Sequence, residues 1–192
     1  AELQRQLPRE NIVYLGDAKR MPYGERENEE IIAFGNSDIR FLENMGVKAI
    51  LLACNTLSSL IGSLTANVPL FSIVEAGCLA TIDRQKEGSV GLIATTATVK
   101  NGTYEHILSR HTQAIRYITQ GTRTLANVIN NHPGELVLLR RNIKEAIDPI
   151  FERERVNALL LGCTHFPIVR KTIEEMYPCL SIIDPADKQI TC

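Results

Sequence analysis

Apolar positions recur at helical spacing over residues 29–44, where Ile31, Ile32, Phe34, Ile39, Phe41 and Leu42 form one set in a polar stretch. That pattern predicts an amphipathic helix, with Gly46 as its stop. The run Val47-Lys48-Ala49-Ile50-Leu51-Leu52-Ala53 then reads as a buried parallel strand ending at Cys54-Asn55-Thr56. The second half repeats the arrangement. A helical stretch over 136–154 leads into Val156-Asn157-Ala158-Leu159-Leu160-Leu161-Gly162, which ends at Cys163-Thr164-His165. Between the two lie a strand at 89–94, a threonine-rich loop at 95–98, a helix around 100–110 and a strand around 114–118. The front of the chain supplies a helix over 1–7 and a strand over 11–15. This alternation predicts the α/β class.

The two cysteine-terminated strands align with each other. Val47 falls on Val156, Ala49 on Ala158, Leu51 on Leu160, Leu52 on Leu161 and Cys54 on Cys163, an offset of 163 − 54 = 109. Buried strands share valine and leucine in any case, so this set alone has little weight. The same offset also puts Pro69 on Pro178, Ser72 on Ser181, Ile73 on Ile182 and Glu75 on Asp184, which points to an internal repeat. Ligands of open parallel sheets bind beyond the carboxyl ends of the strands. Two halves facing each other would therefore bring two thiols to one cleft from opposite sides. That geometry suits a reaction needing a proton carrier on each face of one carbon. The repeat also predicts a missing piece: the opening strand and loop of the second half have no counterpart in the first, equivalent to about 15 to 20 residues at the front.

With 192 residues the chain has room for one large domain or two small ones. A net charge of −1 gives no electrostatic case for nucleic acid or an anionic membrane, so a small molecule is the default partner. No apolar run approaches the roughly 20 residues of a membrane span, and the polar start does not read as a signal peptide. The five cysteines are widely spaced with no CxxC pair, which argues against a disulfide framework or a zinc site and for a reducing cytoplasm. Cys78, Cys179 and Cys192 read as small buried hydrophobes. Bland readings exist for other residues too. Asn55 and Thr56 suit helix N-caps, His165 a structural histidine, and Tyr23 a packed turn aromatic.

Cys54-Asn55-Thr56 and Gly162-Cys163-Thr164-His165-Phe166-Pro167 resemble the two signatures of the glutamate racemase family, within the aspartate/glutamate racemase superfamily. The segment from Asn11 through Pro22-Tyr23-Gly24 is similar to that family's substrate-contacting loop. Glu75-Ala76-Gly77 and Ala94-Thr95-Thr96-Ala97-Thr98-Val99 stand in family order, and His165 separates the chain from aspartate racemases, which usually carry Glu there. The resemblance implies two pseudo-symmetric Rossmann-like three-layer domains with mostly parallel sheets and an active site in the cleft between them. It implies domains of 1–76 plus 167–192 and of 77–166. It also implies cofactor-free racemisation of L- and D-glutamate for peptidoglycan synthesis, with no metal.

In that scheme Cys54 and Cys163 are the acid/base pair, Cys54 acting on the D- and Cys163 on the L-enantiomer, and His165 tunes or relays for Cys163. Tyr23, Gly24, Asn55, Thr56, Thr164 and His165 contact the substrate, with Thr98 as a further contact. Homodimers are frequent in the family. The chain departs from the family in three places, one of them the abrupt stop after Asp187-Lys188-Gln189-Ile190-Thr191-Cys192 where a final helix is expected. It shows no opening Asp-Ser-Gly loop, and it has Gly121-Thr122-Arg123 and Asn130 where Cys-Pro and an acidic partner for His165 are usual. The alternatives are an aspartate or other amino-acid racemase, or a binding protein that has lost catalysis.

Overall fold

The computed structural model describes residues 2–189; Ala1 and residues 190–192, Cys192 included, lie outside the described residues. After α1 (Glu2–Gln6) the chain runs irregularly to α2 (Asn28–Asn44), followed by β1 (Ile50–Leu52), α3 (Asn55–Ser58), β2 (Leu70–Ser72) and α4 (Ile73–Arg84). Then come β3 (Gly88–Thr95), α5 (Thr96–Lys100), α6 (Thr103–His111), β4 (Ile115–Thr122), α7 (Leu125–Asn131) and α8 (Leu136–Arg153). The chain closes with β5 (Ala158–Gly162), α9 (Arg170–Met176), β6 (Ser181–Ile183) and α10 (Ala186–Gln189). All ladders are parallel, in a two-stranded sheet β1-β2 and a four-stranded sheet β4-β3-β5-β6.

Side-chain alternation builds three layers in the larger sheet. Val90, Leu92, Ala94, Ala158 and Leu160 face one way, onto Ile73, Val74 and Cys78 of α4 and Tyr104 and Leu108 of α6. Ile93, Leu159 and Leu161 face the other way, onto Leu125 and Val128 of α7, Ile143, Ile147 and Ile150 of α8 and Ile173 of α9. In the smaller sheet Ile50 and Leu52 pack with Ile31 and Ile39 of α2 and Leu57 of α3. Leu51 and Phe71 remain exposed, so β1 is half-buried rather than buried throughout.

The α2 prediction holds to within a residue, and Gly46 beyond it adopts a left-handed φ of 76°. Three expectations fail. Residues 11–15 form no strand: a strand needs a ladder neighbour, β1 is paired with β2 alone among the described residues, and Tyr14 is 89% exposed. The threonine-rich segment is not a loop, because the Thr95 hydroxyl accepts from the Thr98 N–H and starts α5. The helix expected over 100–110 is two helices, broken at Gly102, whose φ is 62°.

Register corrects the repeat. Leu51 pairs with Phe71, whereas Leu160, its mate at an offset of 109, pairs with Ile183. The second strands are thus related by 183 − 71 = 112. Ser72 corresponds to Asp184 rather than to Ser181, and both cap the turn that follows: Ser72 Oγ accepts from the Val74 N–H and Asp184 Oδ1 from the Ala186 N–H. The connection after Cys163 is three residues longer than the one after Cys54.

α4 and β6 both join the segments of the inferred division. A boundary at 76/77 cuts α4, whose apolar face packs on the larger sheet. Residues 167–183 do not return to the smaller sheet, since β6 is hydrogen-bonded to β5. The return comes only at Gln189, whose Nε2 donates to the Leu52 and Phe71 carbonyls of β1 and β2.

Candidate active site

Cys54 follows β1 and Cys163 follows β5, so both thiols stand at carboxyl ends of parallel strands. Cys163 is buried and Cys54 half-buried, and both are free thiols. Burial pushes the Cys54 thiol up; the Leu57 and Thr56 N–H groups and the Thr56 hydroxyl offset part of that rise. Burial pushes Cys163 up to about 12, the His165 N–H opposes it, and negative charge on Cys54 raises it further. Negative charge on Cys54 thus disfavours ionisation of Cys163. Like charges at coupled sites disfavour double ionisation, so the pair favours at most one thiolate at a time.

Three hydroxyls meet beside Cys54. Thr56 Oγ1 lies 3.0 Å from Thr95 Oγ1, Thr95 Oγ1 2.9 Å from Thr98 Oγ1, and Thr98 Oγ1 3.3 Å from Thr56 Oγ1. Thr56 belongs to the first half, and Thr95 and Thr98 to the second. Gly24 closes against them: a β carbon there would come within 2.7 Å of Thr95 Cβ. Only a residue without a side chain lets the 22–24 turn approach this closely.

Tyr23 beside it is buried, and its hydroxyl donates to Asp17. Arg20 bridges Asp17 and Asp38, at 2.6 Å to each, and its guanidinium lies 4.6 Å from the centroid of the Phe34 ring. This network ties the 17–24 loop to α2. Burial and the Asp17 bond raise the Tyr23 phenol far above its ordinary value, so it stays a neutral donor. Asp17 carried no signal in the sequence beyond its place in the loop.

His165 Nδ1 lies 3.7 Å from Cys163 Sγ. Burial holds the imidazole below its ordinary pKa, so at neutral pH it is uncharged and able to accept a proton. Asn130 is exposed and bonds to Asn131. Thr164 is exposed and Thr56 buried, so the repeat does not make these two equivalent.

Neither Asn55 nor Thr56 is an N-cap, since Cys54 holds that position of α3. Asn55 Oδ1 instead accepts from the Tyr104 hydroxyl at 2.6 Å. Tyr104 went unnoticed in the sequence because a lone tyrosine on a helix has no pattern to mark it. Further bonds join Ser59, which caps α3, to the second half: Asn101 Nδ2 donates to Ser59 Oγ and Thr103 Oγ1 to the Ser59 carbonyl. A surface depression lined by Phe151, Val156, Asn157 and Tyr177 lies at the opposite end of β5 from Cys163 and contributes nothing to this site. Among the described residues no cluster could hold a metal ion, and no helix is long and apolar enough to cross a membrane.

Comparison with known proteins settles the kinship. The Asp/Glu/Hydantoin racemase family model matches residues 2–191. The chain belongs to that family. Among the family's members, a glutamate racemase of Lactococcus lactis subsp. cremoris is 33% identical over 177 residues, covering 91% of this chain and 65% of that protein. The chain thus spans just under two thirds of this relative's length. The crystal structure of glutamate racemase isoform RacE1 from Bacillus anthracis superposes with a TM-score of 0.93 at 31% identity, covering 99% of this chain and 73% of that one. A glutamate racemase from Francisella tularensis, solved in complex with D-glutamate, gives a TM-score of 0.87 at 29% identity, over 99% and 72%. The α/β fold with parallel sheets expected from the sequence is that of these structures.

Proposed function

We propose that the chain carries the site of a cofactor-independent glutamate racemase in which Cys54 and Cys163 are the two bases. The observation that carries this reading is the pair of free thiols at the carboxyl ends of β1 and β5, one in each half. Relatives named glutamate racemase, one of them with D-glutamate bound, support the choice of substrate.

In the forward step a thiolate takes the Cα proton of L-glutamate, the C–H electrons remain on the substrate, and the opposite thiol delivers its proton to the other face. The bases exchange protonation states, and solvent exchange or the reverse reaction resets them. Cys163 serves the L- and Cys54 the D-enantiomer. At rest both thiols are held protonated by burial, so substrate binding has work to do. The substrate's α-ammonium is an opposite charge that lowers a neighbouring thiol, and neutral His165 beside Cys163 takes up or returns its proton. Charge developing on the α-carboxylate is met by preorganised donors: the Asn55 amide and the Thr56, Thr98 and Thr164 hydroxyls, with Tyr23 and Gly24 closing one wall.

The product D-glutamate serves peptidoglycan synthesis. A reducing cytoplasm keeps the thiols free, and a homodimer is the expected assembly. Chiral chromatography after incubation with L-glutamate and, separately, L-aspartate tests the reading. Racemisation of glutamate supports it. Racemisation of aspartate alone assigns the site to another amino acid, and no turnover with ligand binding retained in Cys54→Ser and Cys163→Ser assigns it to binding.

A further inference from the structure

Tyr104 is 1% exposed on α6 of the second half, yet its hydroxyl donates to Asn55 of the first half, the residue after Cys54. Room for this reach comes from Gly77 on α4. A β carbon there would stand 2.9 Å from the Tyr104 ring and 3.1 Å from its hydroxyl. Burial first, and then negative charge on Cys78 and on Cys163, raise the phenol well above its ordinary value, so it stays a neutral donor. It packs edge-on against Tyr117, another buried phenol, whose hydroxyl bonds to Thr81 rather than to Asn55.

A carboxamide has one accepting end and one donating end. A phenol fixed on the accepting oxygen leaves the NH2 group for any ligand, and a carboxylate can only accept. Rotated by half a turn, the same amide would offer oxygen to oxygen. We propose that Tyr104 is a positioning residue, holding the Asn55 carboxamide so that its NH2 group receives a substrate carboxylate. This rests on the racemase reading of the same site and adds a residue that the sequence signatures do not contain.

Kinetics of wild type, Tyr104→Phe, Tyr117→Phe, Asn55→Ala and the Tyr104→Phe/Asn55→Ala double variant test it, with the Asn55 side-chain amide pair followed by 15N–1H NMR. Tyr104→Phe should raise KM for glutamate about tenfold, the scale of one hydrogen bond to a charged group, keep kcat within about threefold and shift the Asn55 amide resonances. Tyr117→Phe, which removes a buried phenol hydroxyl that does not touch Asn55, should leave KM unchanged. In the Asn55→Ala background Tyr104→Phe should add less than about twofold, because the two act as one unit. An unchanged KM in Tyr104→Phe, or an equal tenfold effect with and without Asn55, overturns the positioning role while the racemase reading stands. A wild type that neither racemises nor binds glutamate overturns the racemase reading, and the positioning role with it.

Discussion

The Thr56 and Thr95 hydroxyl oxygens lie 3.0 Å apart, one at the end of each sheet, and Gly24 is packed against Thr95. A methyl group at position 24 has no free space, since its carbon would sit 2.7 Å from Thr95 Cβ. Gly24→Ala must push Thr95 or the 22–24 turn aside. We expect kcat/KM for glutamate to fall at least tenfold, with a stability loss of about 1–3 kcal/mol as for other overpacked sites, read by steady-state kinetics and urea unfolding. Full activity in this variant would show that the turn is free to withdraw.

On the proposed mechanism, thiol ionisation sets the pH dependence. Burial raises both Cys54 and Cys163, the latter to about 12, so the free enzyme holds little thiolate at neutral pH. Below a raised pKa the thiolate fraction grows tenfold per pH unit. The kcat/KM, which reports the free enzyme, should therefore climb from about pH 6 to about pH 9 without a plateau. Initial rates at low substrate check this, and a profile flat from neutral pH upward would contradict it.

Cys78 gives a stability prediction separate from the site. It is buried between α4 and α6, and burial holds its thiol near about 12 against an ordinary value of 9.0. A pKa raised by folding means that stability is complete below about pH 9 and is lost as pH climbs from there towards about 12. Thermal unfolding midpoints should fall across that window. In Cys78→Ala the fall should be shallower but not absent, because Cys163 carries the same shift. Equal slopes in the two proteins would remove Cys78 as a cause.

His165 stands 3.7 Å from Cys163 and is uncharged at neutral pH. His165→Asn should lower kcat/KM by about a hundredfold, the scale of a lost proton-transfer partner, with little change in melting temperature because the ring is only half-buried. The equilibrium constant between enantiomers is one, so the fall must be equal from L and from D. Rates within twofold of wild type would leave His165 no part in proton transfer.

Much of this was legible in the sequence, and the failures have physical causes. Helical spacing over 29–44 and the two cysteine-terminated strands carry strong local signals, and the structure contains them all. Residues 11–15 carry the β-branched and apolar side chains common in strands, but such a run names no ladder partner. With the strands bearing Cys54 and Cys163 set at the 109-residue offset, the same offset fails by three residues at Ser72. An ungapped match rewards similar residues, whereas hydrogen-bond register decides equivalence. Tyr104, Thr95 and Asp17 owe their places to contacts across 49, 39 and 6 residues, and the longer of these no local pattern encodes.

The central claim is that two bases share one carbon, and the isotope at Cα tests it most directly. Wild type is run on L-glutamate in deuterated water, stopped at a few per cent conversion, and both enantiomers are recovered for mass spectrometry. Two opposed thiols predict D-glutamate carrying deuterium at Cα beside L-glutamate still carrying protium, because the base that removes the proton is not the one that delivers the next. Early D-glutamate that retains protium would mean a single base moving one proton from face to face, and would contradict the pairing of Cys54 with Cys163.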